Sequence, residues 1–139
     1  MSEEGQPRQP ITAVTKYVNF CGYLVRENVP ISRQRWRGDE AGDGQVVPER
    51  QKDMLWDEVT QKFTFPEGAA AKVKEWTLKK MAELFRSYRK KLYSKYVKEG
   101  KTPDFKVYPK LRDHWDAFVQ YKTSEEVANA AAKLSLIHI

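Results

Sequence analysis

Apolar residues recur every three to four positions along the stretch Glu67–Glu99. At about 100° per residue, their side chains fall within an arc of about 140°, as in an amphipathic helix with one buried face. The stretch has no Pro and no Gly after Gly68, and Gly100 stands where many helices end. We therefore predict one very long helix, about 50 Å if fully helical. Its apolar arc consists of Val73, Leu78, Met81, Leu84, Phe85, Tyr88, Leu92 and Tyr96.

Shorter helical patterns flank the long helix on both sides. Pro48 and Pro109 each suit the start of a helix, and Pro66 is expected to end the first one. Thr123, with Glu126 three residues later, resembles a capping box and predicts a short fourth helix. The apolar positions of the two flanking patterns are Leu55, Trp56, Val59 and Phe63, then Leu111, Trp115, Phe118 and Val119.

The sequence before Pro48 has weaker patterns. Residues 1–16 begin with polar and Pro residues and predict a disordered leader. The segment Tyr17–Val25 is short, apolar and rich in β-branched and aromatic residues, so it predicts a short strand or an extended piece packed on helices. Residues 37–47 are rich in Gly and Asp and predict a flexible loop.

Together these patterns predict an all-α protein. It has three main helices, one of them very long, plus a short C-terminal helix and an irregular N-terminal arm. In domain terms, an extended or loop arm over residues 17–47 precedes a helical domain over residues 48–133, and an apolar tail follows over residues 134–139.

Composition sets bounds on this picture. A chain of 139 residues with 40% hydrophobic residues fits one domain with tails. The single cysteine, Cys21, excludes an internal disulfide and a cysteine-based zinc site, and it is expected to be a small buried residue rather than a reactive one. No run of about 18 apolar residues is present, so we expect no membrane association.

Charge is concentrated on the long helix. The stretch Glu67–Glu99 carries ten basic and four acidic residues, a net charge of +6 that equals that of the whole chain. Four of the basic residues cluster within about 40° of arc, opposite the apolar face. Such a basic stripe predicts contact with the phosphates of a nucleic acid, and the alternative is a solvated face that keeps the domain soluble. The stripe consists of Lys72, Lys79, Arg86 and Lys90.

Three tryptophans mark the three main predicted helices. Trp56 and Trp115 lie in apolar patterns and are expected in the core. Trp76 lies at the edge of the basic stripe, so it belongs either to the core or to an exposed stacking or interface surface.

The residues that catalysis requires are sparse. Only two histidines exist, His114 and His138, and no Ser or Cys stands in a nucleophile elbow. No glycine-rich phosphate-binding motif can be read. We expect a protein that is not an enzyme and that uses neither a metal nor another cofactor.

Four blocks of sequence, in this order, carry a resemblance to a known family. They are Phe20–Ile31 followed by Trp36, then Lys52–Phe65, Phe85–Leu92 and Pro109–Glu126. Together they cover roughly residues 17–127, and they resemble plant transposase proteins of the Ptta/En/Spm group.

The resemblance implies a plant protein derived from a CACTA-type transposon, with a helical module that binds DNA or accompanies a transposase without holding its catalytic centre. It implies that Arg86, Arg89, Lys90 and Lys91 match the basic helix of the family. It also implies core roles for the aromatic residues Trp56, Trp115 and Phe118. The chain departs from the family after Glu126, where an Ala-rich segment and the apolar tail replace a basic, coiled-coil-like region, as in a truncated protein.

These observations predict non-catalytic binding to duplex DNA in the nucleus, through the phosphate backbone. The alternatives are a protein-interaction or oligomerisation module that accompanies a transposase, and an RNA-binding module. Expected partners are DNA and, in addition, a transposase or a second copy of the chain, with no small-molecule substrate. The predicted contacts are Lys72, Lys79, Arg86 and Lys90, followed by the second-tier residues Arg89, Lys91, Lys95 and Arg112.

Overall fold

The computed structural model describes residues 11–38 and 45–137, and this part of the chain is mostly helical. It contains no strand, and one isolated β-bridge joins Arg35 and Val46. The prediction of an all-α fold is confirmed, whereas the four α-helices of the described residues match the predicted three main helices and short fourth helix only approximately. The helices are α1 (Ile11–Asn28), α2 (Glu49–Lys62), α3 (Ala70–Leu92), which continues into a π-helical turn (Tyr93–Val97), and α4 (Pro109–Ile137).

The N-terminal part differs from the prediction. Residues 1–10 of the predicted leader lie outside the described residues, whereas residues 11–16 and the segment Tyr17–Val25 are helical in α1. The predicted strand or extended arm is therefore wrong over this segment. Its buried side chains follow helical spacing, and they pack α1 against α3 and α2. They are Tyr17, Cys21, Leu24 and Val25.

Gly22 is a poor helix former, and it lies buried near the centre of α1. A Cβ at this position would lie 3.9 Å from the side chain of Leu84 on α3 and 2.9 Å from the guanidinium of Arg26. The distance to Leu84 is an ordinary van der Waals contact, so a side chain here would mainly require Arg26 to move. Glycine lowers helix propensity by about 1 kcal/mol, and the contacts of α1 with α3 and α2 offset that loss.

The long helix agrees closely with its prediction. α3 and the π-helical turn are continuous from Ala70 to Val97, and Gly100 follows with a φ of +67°. The amide of Lys101 donates to the carbonyl oxygen of Tyr96 at 2.7 Å, which satisfies one of the last carbonyl groups. Glycine is favoured at such a helix end because it adopts positive φ without a Cβ clash.

The second half of α4 also differs from the prediction. The predicted third and fourth helices form one helix of 29 residues. Thr123 is not an N-cap, because the helix is unbroken there and the hydroxyl of Ser124 donates to the carbonyl oxygen of Gln120 at 2.9 Å. This pattern is typical of a Ser inside a helix. Of the predicted apolar tail, residues 134–137 are helical, and residues 138–139 lie outside the described part.

α2 begins where it was predicted and ends earlier. Pro48 is its N-cap, but the helix stops at Lys62, well before Pro66, because Phe63 already has extended backbone angles. The ring of Phe63 packs edge-on against Tyr17 at a centroid distance of 4.9 Å. This aromatic contact holds Phe63 outside the helix, and Pro66 disfavours helical backbone at the residue before it, so both agree with a helix end ahead of the proline.

Two apolar clusters form the core. The larger lies among α1, α2, the first part of α3 and the segment between α1 and α2. The smaller lies between the C-terminal end of α3 and the first turns of α4, and Ile31 joins it from the segment after α1. The fully buried large side chains of the two clusters include Leu55, Val59, Met81 and Phe85 in the first and Phe118 in the second.

Polar groups inside the larger cluster are few. The hydroxyls of Tyr17 and Thr77 lie 2.6 Å apart and share a buried hydrogen bond between α1 and α3. Cys21 is fully buried, as expected, and burial raises the pKa of its thiol from 9.0 to about 12. The folded protein therefore holds this thiol protonated over the physiological range.

We predict that the substitution Thr123→Ala leaves the helix content unchanged. The free energy of unfolding should stay the same or rise by a few tenths of a kcal/mol, since Ala is the better residue inside a helix. Far-UV circular dichroism and urea unfolding measure both quantities. A loss of about 1 kcal/mol would mean that Thr123 caps a separate helix.

The protonated thiol of Cys21 predicts a pH-dependent stability. Its stabilising effect is complete below about pH 9 and is lost above it, because the thiol ionises in the unfolded chain before it does so in the folded protein. Between pH 8 and pH 11 we expect wild type to lose about 2–3 kcal/mol more than Cys21→Ala, with about 1.4 kcal/mol per pH unit above pH 9. Denaturation at several pH values measures this difference, and parallel curves for the two proteins would contradict it.

Candidate nucleic-acid interface

A groove of about 480 Å³ lies between α3 and the segment that follows α1. Five basic side chains from these two elements line it, together with a single acidic residue, Glu83. A concave surface with an excess of one charge concentrates the electrostatic field and attracts ions of the opposite charge. We call this groove the basic groove. Four of its basic residues are exposed, namely Arg35, Arg37, Lys79 and Arg86, and the fifth, Arg89, is buried.

The first two arginines lie on the outside of the segment that follows α1. Trp36, the residue between them, is buried, whereas Arg35 and Arg37 are exposed. The ring of Trp36 lies 5.9 Å from that of Phe85 on α3, and the ammonium of Lys52 lies 5.5 Å from the centre of the Trp36 ring. Burial of Trp36 therefore orients both neighbouring guanidinium groups toward the solvent side of α3.

Backbone hydrogen bonds hold this segment in place. The amides of Gln34 and Arg35 both donate to the carbonyl oxygen of Gln45, at 2.8 Å and 3.1 Å. The amide of Val47 donates to the carbonyl oxygen of Arg35 at 3.0 Å. The arginines of the basic groove thus stand on a fixed backbone, which reduces the conformational entropy that a ligand would have to remove.

The other wall of the groove is one face of α3. Lys79 and Arg86 lie two turns apart, about 10 Å along the helix axis. Lys79 pairs with Glu75 at 3.3 Å, and Glu83 pairs with Lys80 at 3.4 Å. Because these ion pairs are solvent-exposed, each contributes little stability, and Lys79 can exchange its carboxylate for a phosphate at low cost.

The predicted basic stripe is exposed along its whole length. Lys72, Lys79, Arg86 and Lys90 all lie on the solvent side of α3. Lys79 and Arg86 line the basic groove, while Lys72 and Lys90 extend the positive surface beyond it in both directions. The two outer lysines are about 27 Å apart along the helix axis.

Arg89 also lines the basic groove, but it is buried rather than exposed, which argues against its predicted role as a phosphate contact. Its side chain is 6% exposed and lies between the two core clusters. Its Nε donates to the carbonyl oxygen of Ile31 at 3.0 Å, and its Nη1 donates to that of Gln34 at 3.3 Å. The guanidinium also lies within 6 Å of three aromatic rings, those of Phe85, Phe118 and Tyr121.

Burial has two consequences for Arg89. Desolvation lowers the pKa of its guanidinium, and the nitrogen Nη2 is buried without a hydrogen-bond partner among the described residues. The hydrogen bonds from Nε and Nη1 and the aromatic rings offset part of the desolvation cost. The side chain therefore fixes the segment after α1 against α3 and α4, and it is not available to a ligand's phosphate.

The remaining predicted contacts lie elsewhere. Lys91 and Lys95 are exposed, but they line a different pocket, and Lys91 lies about 140° around α3 from Arg86. Arg112 is exposed on α4 and lines neither the basic groove nor that pocket. The structure thus divides the predicted set into separate positive surfaces.

Sequence reasoning missed Arg35 and Arg37. Residues 37–47 were expected to form a flexible loop, and of these 39–44 lie outside the described part. A signal was available, because a tryptophan with an arginine on each side indicates one buried side chain between two exposed ones. The partner of that segment, the surface of α3, could not be read from the sequence.

The aromatic predictions have clear outcomes. Trp56, Trp115 and Phe118 are buried, as expected. Trp76 is half-buried beside Tyr17, with a centroid distance of 6.4 Å, and it packs against the larger core cluster. This contact favours its role as a core residue over an exposed stacking surface.

Other kinds of site are not seen in the described residues. Within the described ranges, no group of three or more His, Cys, Asp or Glu side chains is placed to hold a metal ion. The hydroxyl of Ser32 lies 3.4 Å from Nδ1 of His114, a contact that joins the segment after α1 to α4. Of the helices described, none combines the length and the hydrophobicity needed to cross a membrane.

Comparison with known proteins adds no relative to this picture. No protein-family model matches the sequence, and no match was found among curated proteins or solved structures. The resemblance to plant transposases rests on the four sequence blocks alone and stays a prediction.

The position of Arg89 predicts a large effect on stability. We expect Arg89→Ala to lower the free energy of unfolding by about 3–5 kcal/mol, because it leaves a cavity and deprives two buried carbonyl oxygens of their donor. The matched control is Arg86→Ala, an exposed arginine on the same helix, which should change stability by less than about 0.5 kcal/mol. Urea unfolding measures both, and equal effects would contradict the structural role of Arg89.

Proposed function

We propose that this protein binds duplex DNA without catalysis, through phosphate contacts made by the basic groove and the exposed stripe of α3. The observation that carries the proposal is the convergence of Arg35 and Arg37 with Lys79 and Arg86 on one concave surface. Cations from two separate elements meet there with one carboxylate among them. An ordinary solvated surface mixes both signs of charge.

The physical basis of the proposed affinity is counterion release. Each lysine or arginine that replaces a condensed counterion on a phosphate contributes to a binding constant that falls with salt. The distance between Lys72 and Lys90, about 27 Å, corresponds to about eight nucleotide steps of one strand at 3.4 Å each. A duplex lying along α3 therefore meets the stripe at both ends and the basic groove near its middle.

The resemblance of the ordered sequence blocks to plant transposases supports DNA as the polyanion and the nucleus as its location. It also supports an origin in a CACTA-type transposon, in which such a helical module accompanies the transposase. Arg86 and Lys90 belong to the block Phe85–Leu92 that resembles the family's basic helix. Both residues are exposed, as phosphate contact requires.

Phosphate contacts by themselves do not read sequence. They supply affinity and fix the register of the protein on the duplex, whereas specificity requires contacts to base edges or to DNA shape. The proposed activity is therefore salt-dependent binding to duplex DNA with little preference for sequence from these residues.

We predict that the triple substitution Arg37→Gln, Lys79→Gln and Arg86→Gln lowers affinity for a 20-base-pair duplex at least tenfold at low salt, by an order-of-magnitude estimate. Plotted as the logarithm of the binding constant against that of salt concentration, the slope should become shallower by about 2.7, since each lost phosphate contact removes about 0.9. Fluorescence anisotropy across a salt series measures both quantities.

The matched control removes three charges outside the proposed surface, with Lys16→Gln, Arg112→Gln and Lys133→Gln. It has the same net charge as the groove variant and should keep the wild-type slope within about 1. Equal losses in the two variants would mean that net charge, not the basic groove, drives binding. No binding by wild type would favour the protein-interaction alternative, and tighter binding to duplex RNA than to DNA would favour the RNA-binding one.

A further inference from the structure

A second concave site lies on another side of α3 from the basic groove. It is a pocket of about 190 Å³ between the C-terminal end of α3, its π-helical turn and the start of α4. Its floor is apolar, because Leu92 and Leu111 are 6% and 3% exposed. Three tyrosine side chains surround this floor, those of Tyr88, Tyr96 and Tyr108.

The three tyrosines differ in accessibility. Tyr108 is 48% exposed at the rim, while Tyr88 and Tyr96 are half-buried and pack against the smaller core cluster. The ring of Tyr96 is held edge-on to Trp115, with centroids 5.9 Å apart. Burial raises the pKa of the Tyr88 phenol, so this group remains a neutral hydrogen-bond donor.

Two lysines make the pocket electropositive. Lys91 and Lys95 both line it and stand one helical turn apart, about 6 Å along the axis. The ammonium of Lys95 lies 5.3 Å from the centre of the Tyr96 ring. No carboxylate lines the pocket, so its charge complements an anion.

This combination selects a particular ligand chemistry. An apolar floor with aromatic walls suits a flat aromatic group, because rings stack on tyrosine and exclude water from both faces. Two ammonium groups beside it suit a phosphate attached to that group. The volume suits one nucleobase, whereas a base in a duplex is stacked and paired and cannot enter.

We propose that this pocket binds one unpaired nucleotide, with its base against the tyrosine rings and its phosphate on Lys91 and Lys95. That the nucleotide belongs to DNA rests on the proposed function. Lys91 of the pocket and Arg86 of the basic groove lie about 140° apart around α3. A duplex along the groove can therefore continue into a single strand that passes around the C-terminal part of α3 and enters the pocket.

The experiment compares three labelled DNA probes by fluorescence anisotropy. The first is a dumbbell duplex, whose two ends are closed by short non-nucleotide linkers. The second is the same duplex with one end opened into a five-nucleotide thymidine overhang. The third is the thymidine pentanucleotide alone. Wild type should bind the overhang probe at least about fivefold more tightly than the dumbbell, the gain expected from stacking one base. The pocket variant is Tyr108→Ala with Lys91→Gln and Lys95→Gln, and it should lose this preference.

A matched control separates the pocket from general charge and aromatic content. It carries Tyr23→Ala with Lys16→Gln and Lys133→Gln, since Tyr23 is 52% exposed on α1 and both lysines are exposed outside the pocket. This control should keep the wild-type preference for the overhang. As a second measurement that needs no variant, the pentanucleotide should shift the amide NMR signals around Tyr88 and Tyr108 in wild type.

The outcomes distinguish this proposal from the proposed function. Loss of dumbbell binding in the groove variant, with the pentanucleotide still bound in the pocket, supports both. Absence of dumbbell binding by wild type, together with pocket-dependent binding of the pentanucleotide, overturns duplex binding and leaves the pocket standing. Equal binding of the dumbbell and the overhang probe by wild type, or an undiminished preference in the pocket variant, overturns the pocket proposal.

Discussion

The buried guanidinium of Arg89 is the interaction on which the arrangement of the other elements depends. It donates to the carbonyl oxygens of Ile31 and Gln34 and lies among aromatic rings from α3 and α4. These contacts connect the larger core cluster, which contains Phe85, to the smaller one, which contains Phe118. A charge in this position requires its partners to stay in place, because an unpaired buried cation is costly. The segment after α1 is therefore held to the helices by a specific polar contact in addition to apolar burial.

The geometry of the basic groove follows from that constraint. The carbonyl oxygen of Gln34 accepts a hydrogen bond from Arg89, and Trp36 is buried against Phe85. The backbone between Gln34 and Trp36 therefore has little freedom. Because Trp36 between them is buried, Arg35 and Arg37 lie outside, beside the exposed face of α3. The buried Arg89 thus helps to position two exposed arginines, Arg35 and Arg37. The basic residues of α3 consequently have different roles although they are close in sequence.

The sequence predicts some helices better than others, for physical reasons. α3 could be predicted because its apolar arc is long and uninterrupted and is followed by Gly100, a residue whose positive φ matches the helix end. α1 could not be predicted as a helix, because Gly22 and β-branched residues lower its local helix propensity. Its contact with α3 supplies the stability that the local sequence lacks. The exposure of Lys72, Lys79, Arg86 and Lys90 agrees with their predicted face, while the contact of the proposed surface with DNA stays a prediction.

By itself, the sequence determined that the protein is all-α, that α3 has one apolar and one basic face, and that positive charge is concentrated there. Periodicity and composition are local properties, so they can be read without knowing what packs against what. Only the tertiary structure decided that Arg89 is inside, that Arg35 and Arg37 join Lys79 and Arg86, and that three tyrosines meet two lysines in a second pocket. These facts depend on contacts between residues far apart in the chain. Helical periodicity predicts the face on which a side chain lies, but not which neighbour buries that face.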